Sequence, residues 1–190
     1  MKHTLLTSLL VATLGASGAS FAADTYNSDP SHTYVSFEYS HMGYSKQRSR
    51  FDKVNATVTL DAAAKTGSVE VTIDTKSVNT GWDKFNQHLQ SAELFDTAKF
   101  PEATFKSSKV VFKGKDVSEV VGDLTIKGIT KPVTLKVTNF ACKPHPMKKV
   151  DTCGANATAT IKRSDFGLGL FAPAVSDETT LTIAIEASKS

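Results

Sequence analysis

Beyond residue 22 the sequence has no run of about 18 apolar residues, so no later segment is expected to cross a bilayer as a helix. It also lacks a Gly-x-Ser-x-Gly elbow, a Gly-rich phosphate loop, a His-Glu-x-x-His pair and a Cys-x-x-Cys motif. Those absences remove the common signatures of serine hydrolases, nucleotide binders, zinc proteases and dithiol redox proteins. An excess of either charge is missing too: 22 basic residues stand against 19 acidic ones, a formal net charge of +3. That is too balanced for gripping a phosphate backbone, and no nucleic-acid partner is expected. The local basic concentrations, Lys46, Arg48 and Arg50 together with Lys148 and Lys149, read as solvated loops. His32, His41, His88 and His145 are isolated from one another in sequence, as surface or hydrogen-bonded core histidines usually are. Arg163 and Asp165 in "RSDF" read as a surface ion pair worth at most about 1 kcal/mol.

What is present starts with Lys2, the apolar run "LLTSLLVATLGASGA" and "SFA". This order predicts a secretory leader over residues 1–22, cut after Ala22, and an exported domain over 23–190 with no membrane span. In an oxidising compartment Cys142 and Cys153, flanking "KPHPMKKVDT", read as a disulfide. Such a short loop gains about 2.5–3 kcal/mol in the chain-entropy account. The competing reading is a metal site that adds His145 to the two thiolates.

Most of the remaining chain alternates with period two. "SVEVTID" puts Val69, Val71 and Ile73 on one side, "LTIAIEA" does so with Leu181, Ile183 and Ile185, and "YVSFEYSH" with Val35, Phe37, Tyr39 and His41. "VTLKVTN" fits a further strand, as do Val54 to Leu60, Thr104 to Phe112, Val120 to Lys127 and Ala155 to Lys162. Turn signals at "AAKTG", "KGKD" and "KGITKP" separate them. About eight antiparallel strands fit a closed barrel or a sandwich. In "TFKSSKVVF", Phe105 and Phe112 share a face only if the strand carries a bulge.

Two features bear on the interior. The inward set of "GANATATIK" is Ala155, Ala157, Ala159 and Ile161, small side chains that either leave space or face large residues such as Phe37 or Phe51. The stretch 82–95, "WDKFNQHLQSAELF", spaces Trp82, Phe85 and Leu89 three and four apart, which predicts a helical insert between strands. Laid across a barrel mouth, its apolar face would close an interior that strand side chains leave unfilled. The chemistry in view is apolar enclosure rather than bond making.

The segments "SHTYVSFEYSHMGYS", "SVNT", "HLQSAELFDTAKFPEATFKS", "GDLTIKGITKPVTL" and "RSDFGL" together resemble the YceI-like family of exported lipid-binding proteins, in order and spacing across the mature chain. The resemblance implies an all-β fold, an extended eight-stranded antiparallel barrel of lipocalin-like shape with a helical insert and a long apolar pore. It implies ligands that are polyisoprenoids, including prenyl quinones and prenyl pyrophosphates, or fatty amphiphiles. The chain departs from the family pattern ahead of His88-Leu89, where Phe85 and Asn86 stand in place of Arg-Asp, and at Arg50, which replaces a Gly before Phe51.

The expected function is that of a periplasmic binding and carrier protein, monomeric or dimeric, requiring no cofactor and holding a polyisoprenoid or prenyl quinone. Its expected wall comprises Phe37, Tyr39, Phe51, Phe85 and Leu89, with Phe95, Phe105, Leu124 and Ala157. His41 and His88 are the expected polar contacts at an opening. Two other readings stand beside it: an enzyme acting on a lipid or quinone through one of these histidines, and a ligand-free stress-response module with a solid core.

Overall fold

Interrupted strands give this fold its shape. The computed structural model describes residues 23–190; the predicted leader lies outside the described residues. In chain order the strands are β1 (Asp24–Ser28), β2 (Tyr34–His41), β3 (Ser45–Phe51), β4 (Val54–Asp61), β5 (Thr66–Asp74) and the short β6 (Val78–Asn79). After the helix α1 (Asp83–Gln90) come β7 (Glu102–Lys113), β8 (Asp116–Ile126), β9 (Ile129–Pro144), β10 (Asp151–Lys162) and β11 (Glu178–Lys189).

β1 and β2 lie end to end along one edge of β11, with Tyr26 opposite Lys189 and Glu38 opposite Thr180. β4 and β3 pair with β1 and β2 in the same fashion, and β5 and β6 with β4 and β3. β5 then pairs with β7, and each later strand with the next, up to β10 with β11. With each broken strand taken as one, the described residues form a closed eight-stranded antiparallel barrel whose strands follow chain order. Closure through β1 and β11 leaves the two-residue β6, which pairs with β3 alone, as a short free edge.

The alternation read from the sequence places Val35, Phe37 and Tyr39 inward and buried on β2. The register of β7 against β8 shifts between Ser107 and Lys109, which lets Phe105 and Phe112 pack on one cluster. Gly122 sits opposite this bulge. A Cβ there would lie 2.4 Å from the Lys106 carbonyl oxygen and 2.7 Å from the Phe105 ring, so glycine lets that ring lie flat across the inner wall.

Two expectations are corrected. Lys46, Arg48 and Arg50 belong to β3, not to a loop; they point outward while Ser49 and Phe51 are buried. Polar residues on both faces hid this strand from hydrophobic patterning. The helix spans Asp83–Gln90 only, and Trp82 caps its start in an extended conformation, φ −141° and ψ 115°. Trp82 is therefore out of helical phase and exposed, while Leu94 and Phe95 reach the core from the turns that follow.

One barrel end gathers α1, the β2–β3 turn, the β8–β9 turn and the segment 163–177. The opposite end holds the β4–β5 and β7–β8 turns and the β9–β10 loop. There Cys142 stands directly opposite Cys153, and the two are joined as a disulfide. His145 meanwhile accepts hydrogen bonds through Nδ1 from the Met147 and Lys148 amides, so it orders the loop instead of completing a metal site.

Candidate functional site

Leu181, Ile183 and Ile185 face inward from β11, yet they are only half-buried. An inward apolar side chain that keeps accessible surface borders space, not packed atoms. Two apolar cavities account for it. One, of about 310 Å³, occupies the helix end. The other, of about 130 Å³, runs toward the disulfide end. Val35, Ile73, Leu124 and Leu181, from β2, β5, β8 and β11, line both and form a waist between them.

The expected wall residues distribute between these spaces. Phe37, Tyr39, Phe51, Phe85, Leu89 and Phe95 line the helix-end cavity, as do His41 and His88. Phe105 and Ala157 line the deeper one, and Leu124 belongs to both. Phe37, Phe51 and Phe95 form an aromatic cluster with ring centroids 5.5–6.1 Å apart. Ala155 and Ala157 border the deep cavity, so small side chains on β10 do adjoin space.

At the mouth, the His88 ring lies between Phe85, at 6.2 Å, and Phe171, at 6.3 Å. His41 bridges to Val175, and the Met42 amide donates to the Ala174 carbonyl. The departure from the family pattern at Phe85 and Asn86 is thus local in effect. Phe85 adds an aromatic wall, while the Asn86 side-chain oxygen accepts from the amide and hydroxyl of Thr80 and secures the approach to α1.

Sequence reasoning missed the segment after β10. Arg163 is not half of a surface ion pair with Asp165. Its Nε–H donates to the Ser176 carbonyl, Nη1 donates to the carbonyls of Leu168 and Leu170, and Nη2 to that of Val175. One guanidinium thereby folds 168–176 into a flap whose Leu168, Leu170, Phe171 and Val175 line the cavity. Burial pulls the Arg163 guanidinium below its ordinary value, offset by Asp177 and Tyr39. Asp177 is itself held low, first by the Ser164 hydroxyl and then by the Ser164 amide. The available signal was "GLGLFAPAV", an apolar stretch without period among Gly and Pro, which is unusual for a solvated loop.

The wall holds little polar chemistry. The Tyr39 and Thr179 hydroxyls are covered and unpartnered. Burial pushes Tyr39 up from its ordinary value, with Ser49 and Arg163 offsetting part of the shift. Among the described residues neither His41 nor His88 has a carboxylate within ion-pair reach.

A closed up-and-down barrel with a hollow apolar interior, flanked at one end by a helix and a flap, defines a lipocalin-like class of barrel. Within that class the chain belongs to the YceI-like domain family, whose profile matches residues 26–187. It is 36% identical over 193 residues to Protein YceI of Escherichia coli, covering 98% of this chain and 97% of that one. Among solved structures it is similar to Burkholderia cenocepacia BcnA, with TM-score 0.73, 28% identity, and coverage of 84% of this chain and 98% of that chain. A polyisoprenoid binding domain from Saccharophagus degradans shares the fold at TM-score 0.64 and 18% identity, over 89% of this chain and 100% of that chain.

Proposed function

We propose that residues 23–190, released from a leader cut after Ala22, form a periplasmic carrier that encloses one long apolar chain. A polyisoprenoid, a prenyl quinone or a similar amphiphile fits, and no cofactor is required. The observation that carries this reading is the pair of apolar cavities aligned through the barrel. Each enclosed CH₂ contributes about 0.8 kcal/mol, so a long chain gains affinity from enclosure with few polar contacts. Phe37, Tyr39, Phe51, Phe95, Phe105, Leu124 and Ala157 form the wall, with Phe85 and Leu89 at the helix. His41 and His88 meet the polar head at the mouth. The helix-end cavity of about 310 Å³ favours this reading over a solid module. Among the described residues neither histidine has a carboxylate within ion-pair reach, which favours it over acid/base catalysis.

The test is native mass spectrometry of protein purified from its source, followed by extraction and identification of what is released. A stoichiometric isoprenoid supports the carrier, acting as monomer or dimer. Absence of lipid, together with failure to take up an offered quinone or fatty acid, overturns it.

A further inference from the structure

Among the described residues, Met147 and Val150 are exposed in the β9–β10 loop, but the other exposed large apolar side chains lie at the helix end. Met42 and Tyr44 in the β2–β3 turn are 55% and 86% exposed, Trp82 before α1 is 64% exposed, and Phe171 in the flap is 56% exposed. These segments meet around the mouth through the Met42–Ala174 hydrogen bond and the Phe85–His88–Phe171 stack, with Phe85 one turn beyond Trp82. Met42 and Phe171 are both exposed and part of the cavity wall. Met42 and Phe171 therefore join the interior to the outer surface at the mouth.

Nothing in folding asks for Trp82 at its position. It is the sole tryptophan of the chain, it occupies a helix N-cap without making a capping hydrogen bond, and Ser, Thr, Asp or Asn would serve there better. Charge near the rim is mixed in sign, with Glu93, Asp96, Lys99 and Lys127 in the neighbouring turns. Residues 169–175 carry none, Asp83 adjoins Lys84, and Lys46 and Arg48 share Glu38. A surface of exposed aromatic and Met side chains with little net charge suits the interfacial zone of a bilayer, where Trp and Tyr rings settle. The cavity points to the same occupant. A long apolar chain crossing water exposes every CH₂ to solvent, a cost avoided only if the mouth abuts an apolar phase.

We propose that this rim is a bilayer-docking surface: Met42, Tyr44, Trp82 and Phe171 enter the interfacial zone of a phospholipid membrane, and the cavity opens directly onto its acyl chains. The purpose of docking rests on the carrier reading, but the docking is measured separately from it.

Trp82 is the built-in probe. Vesicles of phosphatidylethanolamine and phosphatidylglycerol are titrated into the protein, and emission and co-sedimentation are read at low and high salt. Trp82 emission moves to shorter wavelength, and the shift survives high salt. Phe171→Asn, which tolerates the positive φ of 65° at that residue, weakens vesicle binding about tenfold, and Met42→Ser acts in the same direction. Met147→Ser, at the opposite end, leaves binding unchanged. No shift with any vesicle overturns the proposal, as does binding that salt abolishes or that neither rim variant weakens. Burial of Trp82 in a concentration-dependent dimer without vesicles overturns it in favour of self-association. Uptake of a prenyl chain from detergent micelles is scored in parallel. A protein that takes up the chain but ignores vesicles loses the docking surface and keeps the carrier function.

Discussion

At the scale of single residues, two positions do more than their neighbours. Gly122 faces inward beneath the Phe105 ring, and the Lys106 carbonyl leaves no room for a methyl group. Gly122→Ala should therefore destabilise the barrel by about 1–3 kcal/mol, read as a lower urea midpoint with unchanged slope. Arg163 satisfies four flap carbonyls with a rigid fork that lysine cannot reproduce. Arg163→Lys should cost about 2–3 kcal/mol of stability and raise amide exchange selectively over 168–176, because charge-assisted bonds to part-buried carbonyls are lost. If exchange rose evenly around the barrel, Arg163 would not be the flap's clamp. The wall aromatics were legible in the sequence because alternation alone assigns Phe37 and Tyr39 to one face of β2. Arg163 was not, since its partners are backbone carbonyls and leave no trace in side-chain pattern.

Element by element, legibility followed apolar periodicity. β5, β10 and β11 announced themselves because one face is apolar and the other is not. β3 did not, because its inward positions include Ser45, Gln47 and Ser49 and its outward ones are charged. The helix was visible but its bounds were too wide: the stretch 82–95 took in Trp82, which is extended, and the turns after Gln90 from which Leu94 and Phe95 reach the core. The disulfide is also an element-scale device. Cys142 and Cys153 clamp the last pairs of β9 and β10, beside the Lys148–Asp29 ion pair of 2.7 Å that ties the same loop to the break between β1 and β2. Reduction should lower stability by about 2.5–3 kcal/mol in urea unfolding with and without a thiol reductant. The barrel should remain closed, since the β10–β11 register does not depend on the bridge.

For the whole molecule, the ring is held by pairings distant in sequence, and acid should loosen it in a defined window. Asp29 is held well below the usual carboxylate range, chiefly by Lys148, Glu38 chiefly by Arg48, and Asp177 chiefly by the Ser164 hydroxyl. A depressed folded value means that the unfolded chain takes up protons first. The stability these groups add is complete above the ordinary carboxylate range and is lost as pH falls through and below about 4. Thermal midpoints should be flat from about pH 7 to 5 and drop below about 4, less steeply at high salt. The waist is the second whole-molecule property, because its four residues come from four strands, the neighbours β2 and β11 together with β5 and β8 farther round the ring. If the two cavities act as one pore, Leu124 sets how far a chain can thread. Leu124→Ala should admit a longer prenyl chain at a cost near the low end of core truncations, about 2–3 kcal/mol, because the side chain already borders space. Ala155→Leu should do the reverse, shortening the longest chain bound while leaving stability within about 1 kcal/mol, since the added volume falls into existing space. Binding of a series of prenyl alcohols to both variants decides the matter. Identical length limits in the two would mean that the deep cavity never receives the ligand, and that the helix-end cavity alone is the site.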